Sequence, residues 1–183
     1  AGDKSEAVRL ARTALMSDSY RIYTSTDIMG VEIAGALKNV IAIGAGIADG
    51  LHAGQNAKAA YMTRGIAEMA RLGVAMGANP LTFAGLAGIG DLIATCSSER
   101  SRNHTVGRAL AAGASLDEVL AGLSEVAEGV PTTRAALRLG KIKGVELPIV
   151  TQIARVMFEG VTPAKAIAVL MARDATEELN FLS

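Results

Sequence analysis

The chain has 183 residues, of which 50% are hydrophobic and only 3% aromatic, so it can bury a substantial core built from aliphatic side chains. Its 18 basic and 18 acidic residues give no net charge, which argues against a general nucleic-acid-binding protein because such proteins usually carry a basic excess. One cysteine and two histidines make neither an intrachain disulfide nor a metal-ligand cluster, so we expect no bound metal and a reducing, cytoplasmic location.

The first 26 residues carry a helix signal followed by a strand signal. Ser5–Met16 has apolar residues at helical spacing. Tyr20–Thr26 is rich in β-branched and aromatic residues, which favours a strand. Because one helix and one strand cannot form a stable sheet by themselves, we interpret residues 1–26 as the end of a domain whose remainder lies outside this chain.

From Met29 onwards the pattern is helical, and the sequence predicts an all-α domain over residues 27–183. Its first helix is apolar on nearly every face, which is typical of a central core helix. The most apolar window, Ile33–Ala48, is shorter than the ~20 residues of a membrane-spanning helix, so we expect no membrane span.

Phe83–Gly90 is glycine-rich and predicts a turn. The further predicted helices are Asn56–Met76 with a stop signal at Asn79-Pro80, Asp91–Thr95, Ser101–Ala112, a helix capped by Ser115 and Glu118, Val130–Leu139 ending before Gly140, Pro148–Phe158, and Pro163–Leu170 capped by Thr162.

Lys38 is the only charged residue between Ile33 and Ala48. A lysine within an apolar helix is costly unless it is paired or used chemically. Because burial disfavours the charged form of a lysine, such a residue suits proton transfer. The alternative is a lysine whose stem crosses apolar surface while its ammonium reaches water, and the sequence alone supports both interpretations equally.

The segment Gly85–Asp91 reads G-L-A-G-I-G-D, which is neither a dinucleotide-binding G-x-G-x-x-G motif nor a P-loop. Locally the sequence favours a tight turn in which Asp91 caps the next helix. The functional interpretation is that the glycines allow close backbone approach and place Asp91 and Thr95 in a cleft.

The triplet Ser101-Arg102-Asn103 opens a predicted helix. A helix N-terminus offers free N–H groups and the positive end of the dipole to an anion, and the guanidinium of Arg102 matches phosphate oxygens. A small phosphorylated substrate would fit there. For an isolated triplet, however, the favoured interpretation is that Ser101 is only an N-cap and that Arg102 is a solvated surface residue.

No chemical role is predicted for His52, His104 or Cys96. Both histidines are interpreted as ordinary polar residues of the surface or of an interface. Cys96 is interpreted as a small packed residue, because no activating histidine or cation is identifiable beside it.

Several motifs follow one another in a fixed order from about Arg21 to the final helices. They are Tyr23-Thr-Ser, Val31-Glu-Ile-Ala-Gly-Ala-Leu-Lys-Asn39, Asn56-Ala-Lys-Ala, Arg64-Gly-Ile-Ala-Glu-Met69, Gly85-Leu-Ala-Gly-Ile-Gly-Asp-Leu92, Thr95-Cys-Ser-Ser, Ser101-Arg-Asn103 and Val126-Ala-Glu-Gly129. This ordered set resembles the C-terminal domain of bacterial NAD(P)-dependent sn-glycerol-3-phosphate dehydrogenases. The resemblance implies a multi-helix substrate-binding domain of the glycerol-3-phosphate and 6-phosphogluconate dehydrogenase type. It also implies a preceding Rossmann domain, of which residues 1–26 would be a helix–strand remnant.

The resemblance also implies roles for individual residues. Lys38 would be the general acid/base, and Asp91 would orient it and stabilise its charge. The substrate-binding set would be Lys38, Asn39, Asp91, Thr95, Ser101, Arg102 and Asn103, with the last three chiefly on the phosphate. The positions that border the NAD or NADP cofactor would be Arg102, Val126 and Glu128.

The implied activity is the interconversion of dihydroxyacetone phosphate and sn-glycerol 3-phosphate by hydride transfer, for glycerophospholipid synthesis. The implied partners are the chain's own N-terminal Rossmann domain and, in a homodimer, a second copy. One alternative is another dehydrogenase with a Rossmann and a helical domain, acting on a hydroxyacid or on 6-phosphogluconate; the A-L-K-N and S-R-N spacing argues against it. The other is a helical dimerisation or interaction module without catalysis, under which a lone buried lysine is hard to explain.

Overall fold

The computed structural model describes residues 1–3 and 5–173, and within them all regular structure is helical. The all-α prediction is therefore confirmed, while its last part, residues 174–183, lies outside the described residues. A π-helical turn, Leu86–Gly90, lies between the fourth and fifth helices. The α-helices are α1 (Ser5–Leu15), α2 (Ile28–Gly50), α3 (Gln55–Ala75), α4 (Pro80–Phe83), α5 (Asp91–Ser97), α6 (Arg102–Ala111), α7 (Leu116–Ala121), α8 (Gly129–Lys143), α9 (Pro148–Phe158) and α10 (Pro163–Met171).

Helix α2 forms the centre of the domain. It packs against α3, α5, α6 and α8, and its apolar side chains, such as Leu37 and Ile41, are buried. Asp27 fixes its start, because one carboxylate oxygen accepts a hydrogen bond from Gly30 N at 2.9 Å. The other oxygen accepts one from Thr82 Oγ1 at 2.6 Å, which ties α4 to the same point.

The length argument against a membrane span was wrong for α2. The helix is 23 residues long and, by length and composition alone, passes as a possible membrane span. The segment Pro80–Ser97 passes the same test, although it is divided into α4, the π-helical turn and α5. In α2, 61% of the apolar window is buried inside the domain, as expected for a core helix, so the expectation of no membrane span rests on this packing.

Helices α2 and α6 cross so closely that their backbones are in contact. A Cβ added at Gly107 would lie 1.9 Å from the carbonyl oxygen of Ile43, and one added at Gly46 would lie 2.1 Å from the carbonyl oxygen of His104. Only glycine leaves room for this contact. The close crossing sets the first turn of α6 against the middle of α2, which carries Lys38.

Three local predictions were wrong. Tyr20–Thr26 forms no strand, because no other strand among the described residues is present to pair with it. The glycine-rich segment is not a plain turn, since Leu86–Gly90 adopts a π-helical turn. Helix α8 runs through Gly140 and ends at the left-handed Gly144, φ 68°, which supplies the conformation that a helix C-cap favours.

Two capping signals of the sequence, at Ser115 and at Thr162, are confirmed. Ser115 and Glu118 form both hydrogen bonds of a capping box, and Thr162 Oγ1 accepts from Lys165 N at the start of α10. Asn79, predicted as part of a stop signal, caps α4 with its side chain. Polar residues at these positions satisfy N–H groups that a helix start leaves free, so a local signal is sufficient to predict them.

Glu68 is a buried carboxylate in α3 that holds the start of α9. Its side chain is 3% exposed, and its oxygens accept hydrogen bonds from Ile149 N at 2.6 Å and from Val150 N at 3.3 Å. Burial raises the pKa of Glu68 to about 7, although these hydrogen bonds and the charges of Arg71 and Arg173 lower it. The desolvation cost of the ionised carboxylate therefore exceeds the stabilisation that its hydrogen bonds and the two arginine charges provide.

We expect Glu68 to make the stability of the chain depend on pH between about 4.5 and 7. Because its folded-state pKa lies above the ordinary value, its stabilising contribution is fully present below pH 4.5 and is lost as the pH rises through about 7. Relative to Glu68→Gln, the wild type should lose about 3 kcal/mol of unfolding free energy over this range. Urea unfolding at several pH values measures it, with the exposed Glu99→Gln as control. Parallel profiles for wild type and Glu68→Gln would contradict the expectation.

Candidate functional site

Lys38 and Asp91 form an ion pair between α2 and α5. Lys38 Nζ donates to Asp91 Oδ2, and the two side chains are 21% and 41% exposed. The lysine stem thus lies against the core while its ammonium is held at the edge by a carboxylate. Asp91 does not cap α5, whose N-cap is Gly90 without a side-chain hydrogen bond, so the capping interpretation was wrong and the carboxylate is available to Lys38.

The π-helical turn places Asp91. Gly90 N donates to Gly85 O at 3.2 Å, five residues back along the chain. A Cβ at Gly88 would lie 2.1 Å from the carbonyl oxygen of Phe83, and the Phe83 ring is 2% exposed. The turn therefore packs closely against the backbone of Phe83, whose side chain is buried, through a contact that only glycine permits. Single π-helical turns of this kind are frequent at functional sites.

Thr95 lies one helical turn after Asp91 and contacts it twice. Its Oγ1 donates to Asp91 O at 2.7 Å and lies 3.4 Å from Asp91 Oδ1. The carboxylate of Asp91 is thus bounded by Lys38 on one oxygen and by the Thr95 hydroxyl on the other. Of the predicted residues, the structure brings these three together.

A network of amide hydrogen bonds joins three more predicted residues. Asn103 Nδ2 donates to Asn39 Oδ1 at 3.0 Å, and Asn39 Nδ2 lies 3.3 Å from Glu128 Oε2. Asn103 Oδ1 accepts from Gly129 N at 2.9 Å. Because the side chain of Asn103 is 7% exposed and both its polar groups are paired, its main-chain N–H is the group that could meet a ligand.

Ser101 and Arg102 lie at the start of α6. Ser101 is the N-cap, with Oγ accepting from His104 N at 3.3 Å, as predicted. Arg102 is 45% exposed and its guanidinium donates to Glu125 at 2.6 Å. No hydrogen bond among the described residues joins Arg102 to Lys38 or Asp91, so in this structure its side chain points to a surface partner.

An open cleft of about 590 Å³ borders α2 and the start of α8. Three predicted residues line it, namely Asn39, Val126 and Glu128. The Val126 side chain is 68% exposed, and Glu128 is exposed as well. The cleft thus places an exposed apolar side chain beside the exposed carboxylate of Glu128, a combination of apolar contact and polar partner that suits a nucleotide.

Sequence reasoning missed an ionic cluster in which the buried Lys58 and His104 pair with the part-buried Asp49. The interpretation of His104 as a surface or interface residue was wrong, because it is 3% exposed and its Nε2 lies 2.7 Å from Asp49 Oδ2. Lys58 Nζ donates to the same oxygen at 2.6 Å. One signal was available: a lysine in the first turn of a helix opposes the helix dipole, so its presence there indicates a tertiary partner.

Cys96 is fully buried, which supports its interpretation as a packed residue. Burial raises the pKa of its thiol to about 12, so the thiolate is not populated at neutral pH. Within residues 1–3 and 5–173, no group of three or more His, Cys, Asp or Glu side chains could hold a metal ion.

Comparison with known proteins shows the family to which the chain belongs. The family model described as NAD-dependent glycerol-3-phosphate dehydrogenase C-terminus matches residues 27–168. The chain belongs to this family. A glycerol-3-phosphate dehydrogenase (NAD(P)+) from Pelotomaculum thermopropionicum is 55% identical over 96% of this chain and 50% of its own length. One from Geobacillus thermodenitrificans is 53% identical over 97% and 52%.

Solved structures of glycerol-3-phosphate dehydrogenases share the fold. The crystal structure from Coxiella burnetii superposes with a TM-score of 0.90 at 36% identity, covering 93% of this chain and 53% of that one. The structure from Saccharomyces cerevisiae gives a TM-score of 0.81 at 26% identity, over 88% and 48%. The chain spans about half the length of the curated relatives it matches.

Proposed function

We propose that this chain is the substrate-binding and catalytic half of an NAD(P)-dependent sn-glycerol-3-phosphate dehydrogenase. The enzyme would interconvert dihydroxyacetone phosphate and sn-glycerol 3-phosphate in the cytoplasm, for glycerophospholipid synthesis. The observation that carries the proposal is the Lys38–Asp91 pair on α2 and α5, in a chain that belongs to this dehydrogenase family.

Lys38 is the proposed general acid in the reducing direction. Its ammonium donates a hydrogen bond to the C2 carbonyl oxygen of the substrate and passes a proton to that oxygen as the C2–H bond forms. Asp91 holds the ammonium in place through its carboxylate, and Thr95 steadies the carboxylate. In the oxidising direction Lys38, then neutral, takes the proton from the hydroxyl.

The start of α6 is the proposed site for the substrate phosphate. Its free main-chain N–H groups and the helix dipole favour an anion. The N–H of Asn103 belongs to this first turn, and Arg102 would turn from Glu125 to the phosphate, a better bidentate partner. Asn39, fixed by Asn103, would present its amide beside Lys38.

Val126 and Glu128, which line the open cleft, would contact part of bound NAD or NADP, Val126 against its ring system and Glu128 as a polar partner. Arg102, at the start of α6 and not among the lining residues of the cleft, would be a further polar contact. The nicotinamide ring, when bound, supplies the hydride. The remainder of the cofactor would be held by an N-terminal Rossmann domain. Exposed apolar residues of the proposed remnant 1–26 support such a partner: Leu10, Leu15, Tyr20 and Tyr23 are 61–75% exposed. A homodimer is a further expectation from the family.

A substrate panel tests the proposal. The full-length protein is assayed for NADH and NADPH oxidation with dihydroxyacetone phosphate, and for the reverse reaction with sn-glycerol 3-phosphate, 6-phosphogluconate and simple 2-hydroxyacids. We expect turnover with the glycerol phosphate pair alone. Turnover with 6-phosphogluconate or a hydroxyacid instead would identify another dehydrogenase, and no turnover with any substrate would favour a non-catalytic helical module.

We expect the 183-residue chain to fold but not to turn over. Without a domain that holds most of the cofactor, the hydride donor is not positioned against the substrate, and positioning accounts for a large part of the rate. Circular dichroism checks the helical fold, and NADH oxidation with dihydroxyacetone phosphate checks the activity, with the full-length protein as control. Robust NADH oxidation by the 183-residue chain, free of contaminating enzyme, would refute the proposal that an N-terminal domain must hold most of the cofactor.

A further inference from the structure

The cluster of Asp49, Lys58 and His104 joins the ends of three helices. Asp49 lies in the last turn of α2, Lys58 in the first turn of α3 and His104 in the first turn of α6. Lys58 and His104 are 9% and 4% exposed at their side chains. A single oxygen, Asp49 Oδ2, accepts from both Lys58 Nζ and His104 Nε2. The cluster is separate from the Lys38–Asp91 pair.

Local helix physics does not account for these residues. A carboxylate near a helix C-terminus and an ammonium near a helix N-terminus each oppose the helix dipole. Burial alone would raise the pKa of Asp49, but the hydrogen bonds and charges of Lys58 and His104 outweigh it and lower that pKa. The ionised form of the carboxylate is therefore stabilised by its two neighbours, which belong to other helices.

His104 makes contacts through its N–H, its carbonyl oxygen and its ring. The N–H donates to Ser101 Oγ at 3.3 Å, and the carbonyl oxygen lies close to the backbone of α2 at Gly46. The ring forms a hydrogen bond with Asp49. Because Asp49 accepts, Nε2 carries the proton, and Nδ1 is buried with no hydrogen-bond partner among the described residues. The ring nitrogen Nε2 and the backbone carbonyl of His104 thus connect the first turn of α6 to α2.

We propose that Asp49, Lys58 and His104 are positioning residues that fix the first turn of α6, and with it Ser101, Arg102 and Asn103, relative to Lys38. The inference rests on the proposed function and adds to it. Lys38 and Asp49 lie on the same rigid helix α2, while His104 directly follows Asn103. The distance between the proton donor and the phosphate-binding turn is thus set through His104 and Asp49.

The test uses the full-length protein and two substitutions at one position. His104→Leu removes the ring hydrogen bond, whereas His104→Gln can place an amide N–H near the former Nε2. We expect His104→Leu to raise the KM for dihydroxyacetone phosphate about tenfold or more, since small displacements of binding groups have large kinetic effects. The KM for NADH should change less than the KM for dihydroxyacetone phosphate, because most of the cofactor would be held by the N-terminal domain, and His104→Gln should recover most of the substrate affinity.

A destabilised variant separates positioning from general loss of stability. Leu72→Ala opens a cavity in the core at a residue 1% exposed on α3, and should lower the melting temperature without raising the KM for dihydroxyacetone phosphate. If His104→Leu does not fold, Lys58→Gln takes its place and should raise the same KM several-fold.

The outcomes distinguish the inference from the function on which it rests. If the wild type turns over dihydroxyacetone phosphate but His104→Leu, or Lys58→Gln in its place, keeps the KM of the wild type, the positioning role is wrong and the function stands. If Leu72→Ala raises the KM equally, the effect is structural and the inference is overturned. If the wild type is inert with this substrate, both fail.

Discussion

Replacing Lys38 by alanine in the full-length protein is expected to lower kcat for dihydroxyacetone phosphate reduction by roughly 10²–10⁴-fold, the usual contribution of a positioned general acid. The side chain is the only cation on the apolar part of α2, and it is held by Asp91 at the edge of the core. Without it no proton donor on α2 meets the carbonyl oxygen. The KM for NADH should stay close to that of the wild type.

Lys141→Ala is the matched control for Lys38→Ala. Lys141 is exposed near the end of α8, and its removal should leave kcat unchanged. Steady-state NADH oxidation at saturating dihydroxyacetone phosphate measures both variants. A Lys38→Ala enzyme that retains more than about a tenth of the wild-type kcat would show that another group supplies the proton.

Gly107→Ala is expected to destabilise the chain by about 3 kcal/mol, the upper range for overpacking a rigid core. The added methyl group would lie 1.9 Å from Ile43 O and 2.8 Å from Ile47 N. Both atoms belong to the backbone of α2, so no side-chain rotation relieves the clash. Helix α6 must move away from α2, and the helical preference of alanine recovers only about 1 kcal/mol.

Gly35→Ala serves as the matched control for Gly107→Ala. It changes the same residue type in a helix interior, but nothing lies within 4 Å of the added Cβ. We expect it to stabilise the chain by about 0.5–1 kcal/mol through helix propensity and the lower entropy of the unfolded state. Urea unfolding measures both variants. Equal unfolding free energies for the two would contradict the close crossing of α2 and α6.

The sequence was sufficient to predict the role of a residue whose partners lie nearby in the chain. Ser115 and Thr162 are adjacent in the chain to the N–H groups they cap, so their roles follow from spacing alone. Lys38 was found because it is the only charged residue between Ile33 and Ala48, within one helix. The pairing of Lys38 with Asp91 was expected from the family resemblance, and the local pattern around Asp91 favoured a different interpretation.

The rest depends on contacts between residues distant in sequence. Asp91 does not cap α5, because the preceding turn is π-helical. That turn is fixed by the contact of Gly88 with the backbone of Phe83. Gly140 was taken as a helix end because glycine is common there, whereas α8 continues through it to the left-handed Gly144, which supplies the C-cap. His104 is buried because Asp49, 55 residues away, pairs with it, and no local pattern contains that information.

The central claim is that Lys38 and Asp91 act as one unit on the substrate carbonyl. A double-mutant cycle on the full-length protein tests it most directly, with kcat for dihydroxyacetone phosphate reduction measured for Lys38→Ala, Asp91→Asn and the double variant. Since residues that act as a unit are non-additive, we predict that the double variant loses about as much as Lys38→Ala alone. A double variant whose loss equals the product of the two single losses would show that the residues act independently and would contradict the claim.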